Sequence, residues 1–155
     1  LILPGGILLA AFLLYRGRVL ESKFAAWTIL GGAALNQVLK FSIQRSRPVP
    51  DLPLLEPWGW SYPSGHAMMS VVFYFTLGLF AVKHVRSGVA KAAAIVFFTS
   101  MPFLIAFSRF YLQVHFLSDI VAGLFAGFFW FAVCVTTTLY FKKRSENGAR
   151  LNEGD

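Results

Sequence analysis

Charge is scarce in this chain: only 14% of its 155 residues are Asp, Glu, Lys or Arg. With 57% hydrophobic residues and a mean hydropathy of +0.63, this excludes an ordinary soluble domain, and the length allows one domain, residues 1–155. Cysteine is almost missing. The single Cys134 supports neither a disulfide framework nor a cysteine-based metal site, and within its apolar run it reads as a small packing residue. Internal repeats and low-complexity segments are absent. So is an initiator Met, and the opening Leu1-Ile2-Leu3-Pro4 lacks the basic start and cleavage pattern of a signal peptide. The first apolar run, about 1–15, falls short of the roughly 20 residues a membrane span needs. A transmembrane helix that continues toward the N-terminus is therefore expected.

Acidic residues are also few, 7 against 14 Lys and Arg, for a net charge of +7. Such an excess can mark a nucleic-acid partner. Here the cations stand in short clusters between apolar runs, the distribution of a membrane protein, and a nucleic-acid partner is set aside.

What the chain does have is apolar length. Five segments stand out, at about 1–15, 24–43, 67–85, 90–107 and 117–141. Their lengths scatter around what a hydrocarbon core of about 30 Å demands of a helix. Lipid offers backbone groups no hydrogen-bond partners, so helices are expected. The fold class that follows is all-α, a polytopic transmembrane helix bundle with five spans. Residues 142–155 are polar and read as a frayed, flexible tail.

The charges give that bundle an orientation. Arg16, Arg18, Lys23, Lys83, Arg86, Lys91, Lys142, Lys143, Arg144 and Arg150 all fall on one side of a five-span arrangement, the cytoplasmic side by the positive-inside tendency. Lys40, Arg45, Arg47 and Arg109 fall at the opposite ends of their spans, against that bias. They need a reason to be there.

The longest connection, about 44–66, lies on that outer side and is rich in proline (Pro48, Pro50, Pro53, Pro57 and Pro63). Its Trp58, Trp60 and Tyr62 suit a headgroup-level surface, and lipid-substrate contact is the sharper alternative. Asn36, Gln37, Lys40, Gln44 and Arg47 share one face at helical spacing, and Pro48 discourages the helix from continuing beyond Arg47. Snorkelling of the basic chains toward headgroups is the plain reading of Lys40 alone. Ser64-Gly65-His66 opens the next apolar run. Ser64 is a plausible N-cap, Gly65 permits close backbone approach, and the N–H groups of a helix start attract phosphate. Further on, Ser108-Arg109 ends the fourth segment, and His115 and Asp119 follow. If 115–127 are helical, His115, Asp119, Gly123 and Gly127 form one stripe facing the bundle, with Asp119 accepting a hydrogen bond from one ring nitrogen of His115. Ionisable groups inside a membrane bundle are costly, which favours function for this pair.

Lys40, Arg47 and Arg109 gathered without an anion would repel, each pair by about 4 kcal/mol at 4 Å and an effective dielectric near 20. A phosphate dianion reverses that sign. Phosphoryl transfer needs positioning and charge neutralisation, which three cations and a helix start supply without magnesium. His115, oriented by Asp119, is an allowed covalent nucleophile, and His66 remains to protonate a leaving oxygen. A rival arrangement takes His66, His115 and Asp119 as two histidines and a carboxylate around a metal, but the cations would repel it. A non-catalytic lipid-binding protein with a basic pocket is the third reading.

Lys40 to Arg47-Pro48, Pro63-Ser64-Gly65-His66, and Ser108-Arg109 to His115 and Asp119 resemble the three motifs of the type-2 phosphatidic acid phosphatase (lipid phosphate phosphatase) superfamily, bacterial membrane-bound type. Six residues separate Lys40 from Arg47, five separate Arg109 from His115, and three separate His115 from Asp119, as in that pattern. The resemblance covers about half the chain, residues 40–119. It implies a six-helix membrane fold whose first helix this chain would lack. It also implies release of a terminal phosphate from a lipid phosphate or diphosphate through a phosphohistidine, with no metal and no cofactor. By motif position His115 is the nucleophile, Asp119 its orienter and His66 the general acid. Lys40, Arg47, Ser64, Gly65 and Arg109 hold the phosphate. The expected partners are a lipid phosphate substrate and membrane lipids. The expected place is the cell (inner) membrane, with the site facing the periplasmic or extracellular side. Phosphatidic acid, phosphatidylglycerol phosphate, undecaprenyl diphosphate and lipid A phosphates remain open as substrates, as do the oligomeric state and the role of Arg45.

Overall fold

A computed structural model describes residues 2–49 and 58–152, with side chains through residue 147. Its elements are five helices in chain order: α1 (Ile2–Tyr15), α2 (Val19–Ile43), α3 (Gly65–His84), α4 (Gly88–Tyr111) and α5 (Leu117–Asn152). Among the described residues there is no strand, in keeping with the expected all-α class.

The boundaries have local causes. Gly17 sits at φ +72°, a left-handed conformation that reverses the chain between α1 and α2 at no side-chain cost. Serines open α3 and α4: the hydroxyls of Ser64 and Ser87 accept from the N–H groups of Ala67 and Ala90, each three residues on. The α2 helix stops at Ile43, where Gln44 turns left-handed (φ 49°) and donates its N–H to the carbonyl of Lys40 at 2.9 Å. That is earlier than the proline at 48 suggested. Arg47 therefore does not share a helical face with Lys40, and it reaches its position on extended chain.

By length and composition, α3, α4 and residues Leu117–Asn147 of α5 can cross a membrane. The other two expected spans do not reach that standard. The α1 helix has only 14 residues, and α2 carries Glu21, Lys23 and Lys40. At the far end of the chain the polar stretch from Lys142 onward continues α5 as helix to Asn152, where a frayed tail was expected. Lys142, Lys143 and Arg144 are good helix formers, and Lys142 lies 3.8 Å from Glu146 one turn on.

Among the described residues, α3 is the hub, packing against each of the other four helices. Its Met68, Val71 and Val72 are fully buried, facing Ile29 of α2 and the glycine-bearing face of α5. The glycines matter because a side chain there would strike main chain. A Cβ on Gly123 would lie 2.6 Å from the carbonyl oxygen of Ser64, and one on Gly127 2.7 Å from that of Met68. The expected bundle-facing stripe is therefore present from Asp119 through Gly127, and it brings α5 and α3 into backbone contact. By contrast α4 exposes Val96, Phe97, Phe103, Leu104 and Phe107, an apolar outer surface suited to lipid.

This packing assembles two ends. The C-terminal ends of α2 and α4 meet the starts of α3 and α5 at one of them. At the other, Arg18 reaches His84 at 2.7 Å and pairs with Glu21, joining the α1–α2 turn to the end of α3.

Candidate active site

The first end holds a cavity of about 300 Å³ lined by Lys40, Arg47, Gly65, His66 and His115 on its polar side, with Ile2, Leu3, Ala33 and Met69 as its apolar wall. Five of the eight residues picked out from sequence thus share one space, although they come from α2, α3 and the two loops beside them. Asp119 is fully buried beneath His115, outside the lining. Ser64 is also fully buried. Its hydroxyl caps α3, and its N–H donates to the carbonyl of Asp119 at 2.9 Å, so both groups serve the fold here. Arg109, in the last turn of α4, donates through Nε to the Ser108 hydroxyl at 3.2 Å and does not line the cavity, though its charge is felt at His66.

Main-chain carbonyls hold the cations in place. Lys40 Nζ donates to Trp60 O at 2.6 Å. Arg47 donates through Nε to Gly59 O (2.9 Å), through Nη1 to Val114 O (2.9 Å) and through Nη2 to Trp58 O (3.1 Å) and Trp60 O (3.4 Å). Gly59, at φ +74°, allows the 58–60 stretch to turn these carbonyls inward. The mutual repulsion expected of Lys40 and Arg47 is thus offset by peptide dipoles. Trp58 is 94% exposed, so its indole faces the surroundings while its carbonyl serves the site. Residues 50–57, which carry much of the expected 48–62 loop, lie outside the described residues.

His115 departs from the expected arrangement in two ways. It precedes α5 instead of forming its first turn, because Asp119 folds back to accept the N–H of Phe116 at 3.0 Å and the helix starts at Leu117. Its Nδ1 also stands 3.6 Å from Asp119 Oδ2, too far for a hydrogen bond. The hydroxyl of Ser61 lies between them, donating to Asp119 Oδ2 and standing 3.3 Å from His115 Nδ1. On the opposite side of the ring, Arg47 Nη1 donates to Nε2 at 3.3 Å. Burial first, then the charges of Arg47 and Lys40, push the imidazole pKa down from 6.5 to about 4, so the ring is neutral at physiological pH. Arg47 is itself lowered from its ordinary value, chiefly by burial.

Asp119 has a further partner that the motif left open. Arg45 donates from Nη1 to Asp119 Oδ1 at 2.8 Å and to Ser118 Oγ at 2.7 Å, and its guanidinium lies over the Phe116 ring, 4.1 Å from the centroid. The sequence signal for Arg45 was its place among the few cations on the wrong side of the charge bias. Ser61 gave no such signal. Among the described residues no three His, Cys, Asp or Glu side chains converge as metal ligands, so the two-histidine, one-carboxylate arrangement is not formed.

A family model described as the PAP2 superfamily matches residues 22–143, which include every residue of the cavity's polar side. The chain belongs to the PAP2 superfamily. This is the family that its three motifs resemble. Phosphatidylglycerophosphatase B of Bacillus subtilis (strain 168) is 36% identical over 99 residues, 63% of this chain and 48% of that protein. The chain thus spans about half the length of that curated relative. Two solved PAP2-like folds superpose well. One is the crystal structure of a transmembrane PAP2 type phosphatidylglycerolphosphate phosphatase from Bacillus subtilis, with a TM-score of 0.78 and 27% identity over 89% of this chain and 69% of that one. The other is LpxE of Aquifex aeolicus, with a TM-score of 0.61 and 27% identity over 83% of this chain and 74% of that one. The chain thus shares its helical framework with both structures and carries the three motifs at one end of that framework.

Proposed function

We propose that this chain is an integral membrane lipid phosphate phosphatase that acts through a phosphohistidine on His115. The observation that carries the reading is the 300 Å³ cavity. It places two cations, two histidines and a helix start opposite an apolar wall, a fit to a phosphate ester with a greasy tail. The names of the Bacillus subtilis relatives support the substrate class and put phosphatidylglycerol phosphate first among the lipids to test.

In this mechanism Lys40, Arg47 and the N–H groups at the start of α3 by Gly65 take the phosphate oxygens, and Arg109 adds positive potential from the edge. The Nε2 lone pair of His115 attacks phosphorus as the bond from phosphorus to the lipid oxygen breaks, and His66 gives that oxygen its proton. Water then attacks the phosphohistidine, passing a proton back to His66. Cleavage of the P–N bond releases phosphate and restores neutral His115. Charge neutralisation comes from the protein's own cations, so no metal is needed. We further propose five spans in this chain, with the cavity on the periplasmic or extracellular side of the cell membrane and the basic end in the cytoplasm.

Phosphate release by the purified protein tests this, across phosphatidylglycerol phosphate, phosphatidic acid, undecaprenyl diphosphate and lipid A, with chelator and orthovanadate controls. Turnover that survives chelator, stops with vanadate and disappears in His115→Ala is expected. Turnover in the His115→Ala protein defeats the covalent route. Lipid binding without phosphate release by the wild type favours a non-catalytic binding protein.

A further inference from the structure

The residue between His115 and Asp119 came from no motif. Ser61 lies three residues before Ser64, is fully buried, and is held by its own main chain, its N–H donating to Arg45 O at 2.8 Å. Its hydroxyl is thus placed independently of the contacts it makes. It has one proton, and that proton goes to Asp119 Oδ2. The 3.3 Å approach to His115 Nδ1 then requires the ring to donate and the Ser61 oxygen to accept. The opposite side of the ring agrees, since Arg47 can only donate and so meets an unprotonated Nε2.

Asp119 does not hold the ring itself, because its nearer oxygen, Oδ2, stands 3.6 Å from Nδ1 and already has two donors. Oδ1 takes Arg45, and Oδ2 takes Ser61 and the N–H of Phe116. The connected chain runs Arg45, Asp119, Ser61, His115, from the loop after α2 to the floor of the cavity. We propose that Ser61 is a positioning residue for the nucleophile, its Asp119-held hydroxyl receiving Nδ1–H of His115 and keeping the lone pair on Nε2 toward the phosphate. This rests on the reading of His115 as the nucleophile. When the P–N bond forms, the imidazole becomes a cation whose proton stays on Nδ1, and a hydroxyl dipole backed by the Asp119 charge stabilises it. A hydroxyl fits this position because it accepts from the ring and donates to the carboxylate at once, spanning a gap too wide for a direct bond.

The test uses the full chain in lipid nanodiscs, with phosphatidylglycerol phosphate as substrate and inorganic phosphate as a phosphate-site probe. Ser61→Ala lowers kcat by about 10–100-fold, the range for loss of an orienting partner, while KM and product inhibition by inorganic phosphate stay within about threefold. Ser61→Thr keeps the hydroxyl and recovers most of kcat. In ¹⁵N spectra of the imidazole, the wild-type ring carries its proton on Nδ1, shielded from exchange, and that shielding is lost in Ser61→Ala. A wild-type ring protonated on Nε2 overturns the proposal whatever the variants do. So does a Ser61→Ala enzyme with unchanged kcat, or one whose inhibition by inorganic phosphate weakens along with turnover. His115→Ala in the same assay separates the two failures. Turnover in that protein removes the nucleophile itself, whereas an inactive His115→Ala beside a fully active Ser61→Ala removes only the role of Ser61.

Discussion

Arg47 covers the nitrogen of His115 that faces the cavity, its Nη1 standing 3.3 Å from Nε2. All five N–H donors of the guanidinium are engaged, four by the carbonyls of Trp58, Gly59, Trp60 and Val114 and the fifth by the ring. In the proposed reaction an arriving phosphate exchanges with some of these partners, and the exchange that exposes Nε2 is the one that route requires. Protein acceptors thus satisfy the guanidinium, which is how the fold tolerates a cation at an end that the membrane charge bias disfavours.

Arg47→Lys keeps the charge and loses the planar fork. Both carbonyl anchoring and phosphate contact suffer, and kcat/KM falls by about 10–100-fold, with KM raised. Steady-state kinetics on phosphatidylglycerol phosphate check this. A variant with unchanged KM would place Arg47 outside the substrate site.

Arg45 is expected to behave differently from its neighbour two residues on. Arg45→Met leaves Asp119 Oδ1 without its cation, but it touches no cavity-lining group. Stability falls by about 1–2 kcal/mol, the low end for a broken charged pair because Arg45 remains partly exposed, and vanadate inhibition is preserved. Thermal unfolding in detergent, paired with inhibition curves, distinguishes the two arginines.

The acid response has a defined sign. The ring of His115 titrates near 4 in the folded protein and near 6.5 when unfolded, so the folded state binds fewer protons between those values. Its contribution to stability is complete above pH 6.5, is lost as pH falls toward 4, and changes no further below that. Imidazole NMR should show a midpoint near 4, and His115→Gln should flatten the stability profile across that interval. A wild-type midpoint near 6.5 would mean that the ring is solvated.

Much of the site could be read from spacing. Lys40, Gly65, His66 and His115 stand at span ends, and apolar runs of membrane length send successive ends to opposite sides, so residues far apart in sequence share one boundary. Arg47 followed from the same spacing, although the path to it did not: a left-handed Gln44 stops α2 early, and glutamine is not a residue whose type marks such a stop. Ser61 was illegible for a related reason. A serine beside Tyr62-Pro63 looks like ordinary loop, and only the fold sets it between an imidazole and a carboxylate. The carbonyls of Trp58, Gly59 and Trp60 left no trace either, because every residue has one. Apolar length did not settle the span count, since α1 is short and α2 carries charges at both ends.

The glycines of α5 set a limit on how this molecule can breathe. With no side chain at 123 or 127, α3 and α5 touch main chain to main chain, so the stretch that bears His66 and the one that follows His115 are clamped as a single block. Any widening to admit a bulky headgroup must then come from the opposite wall, where α1 and α2 meet the cavity through Ile2, Leu3, Ala33 and Lys40. The two histidines thus belong to the rigid half, and accommodation is left to the half that can yield.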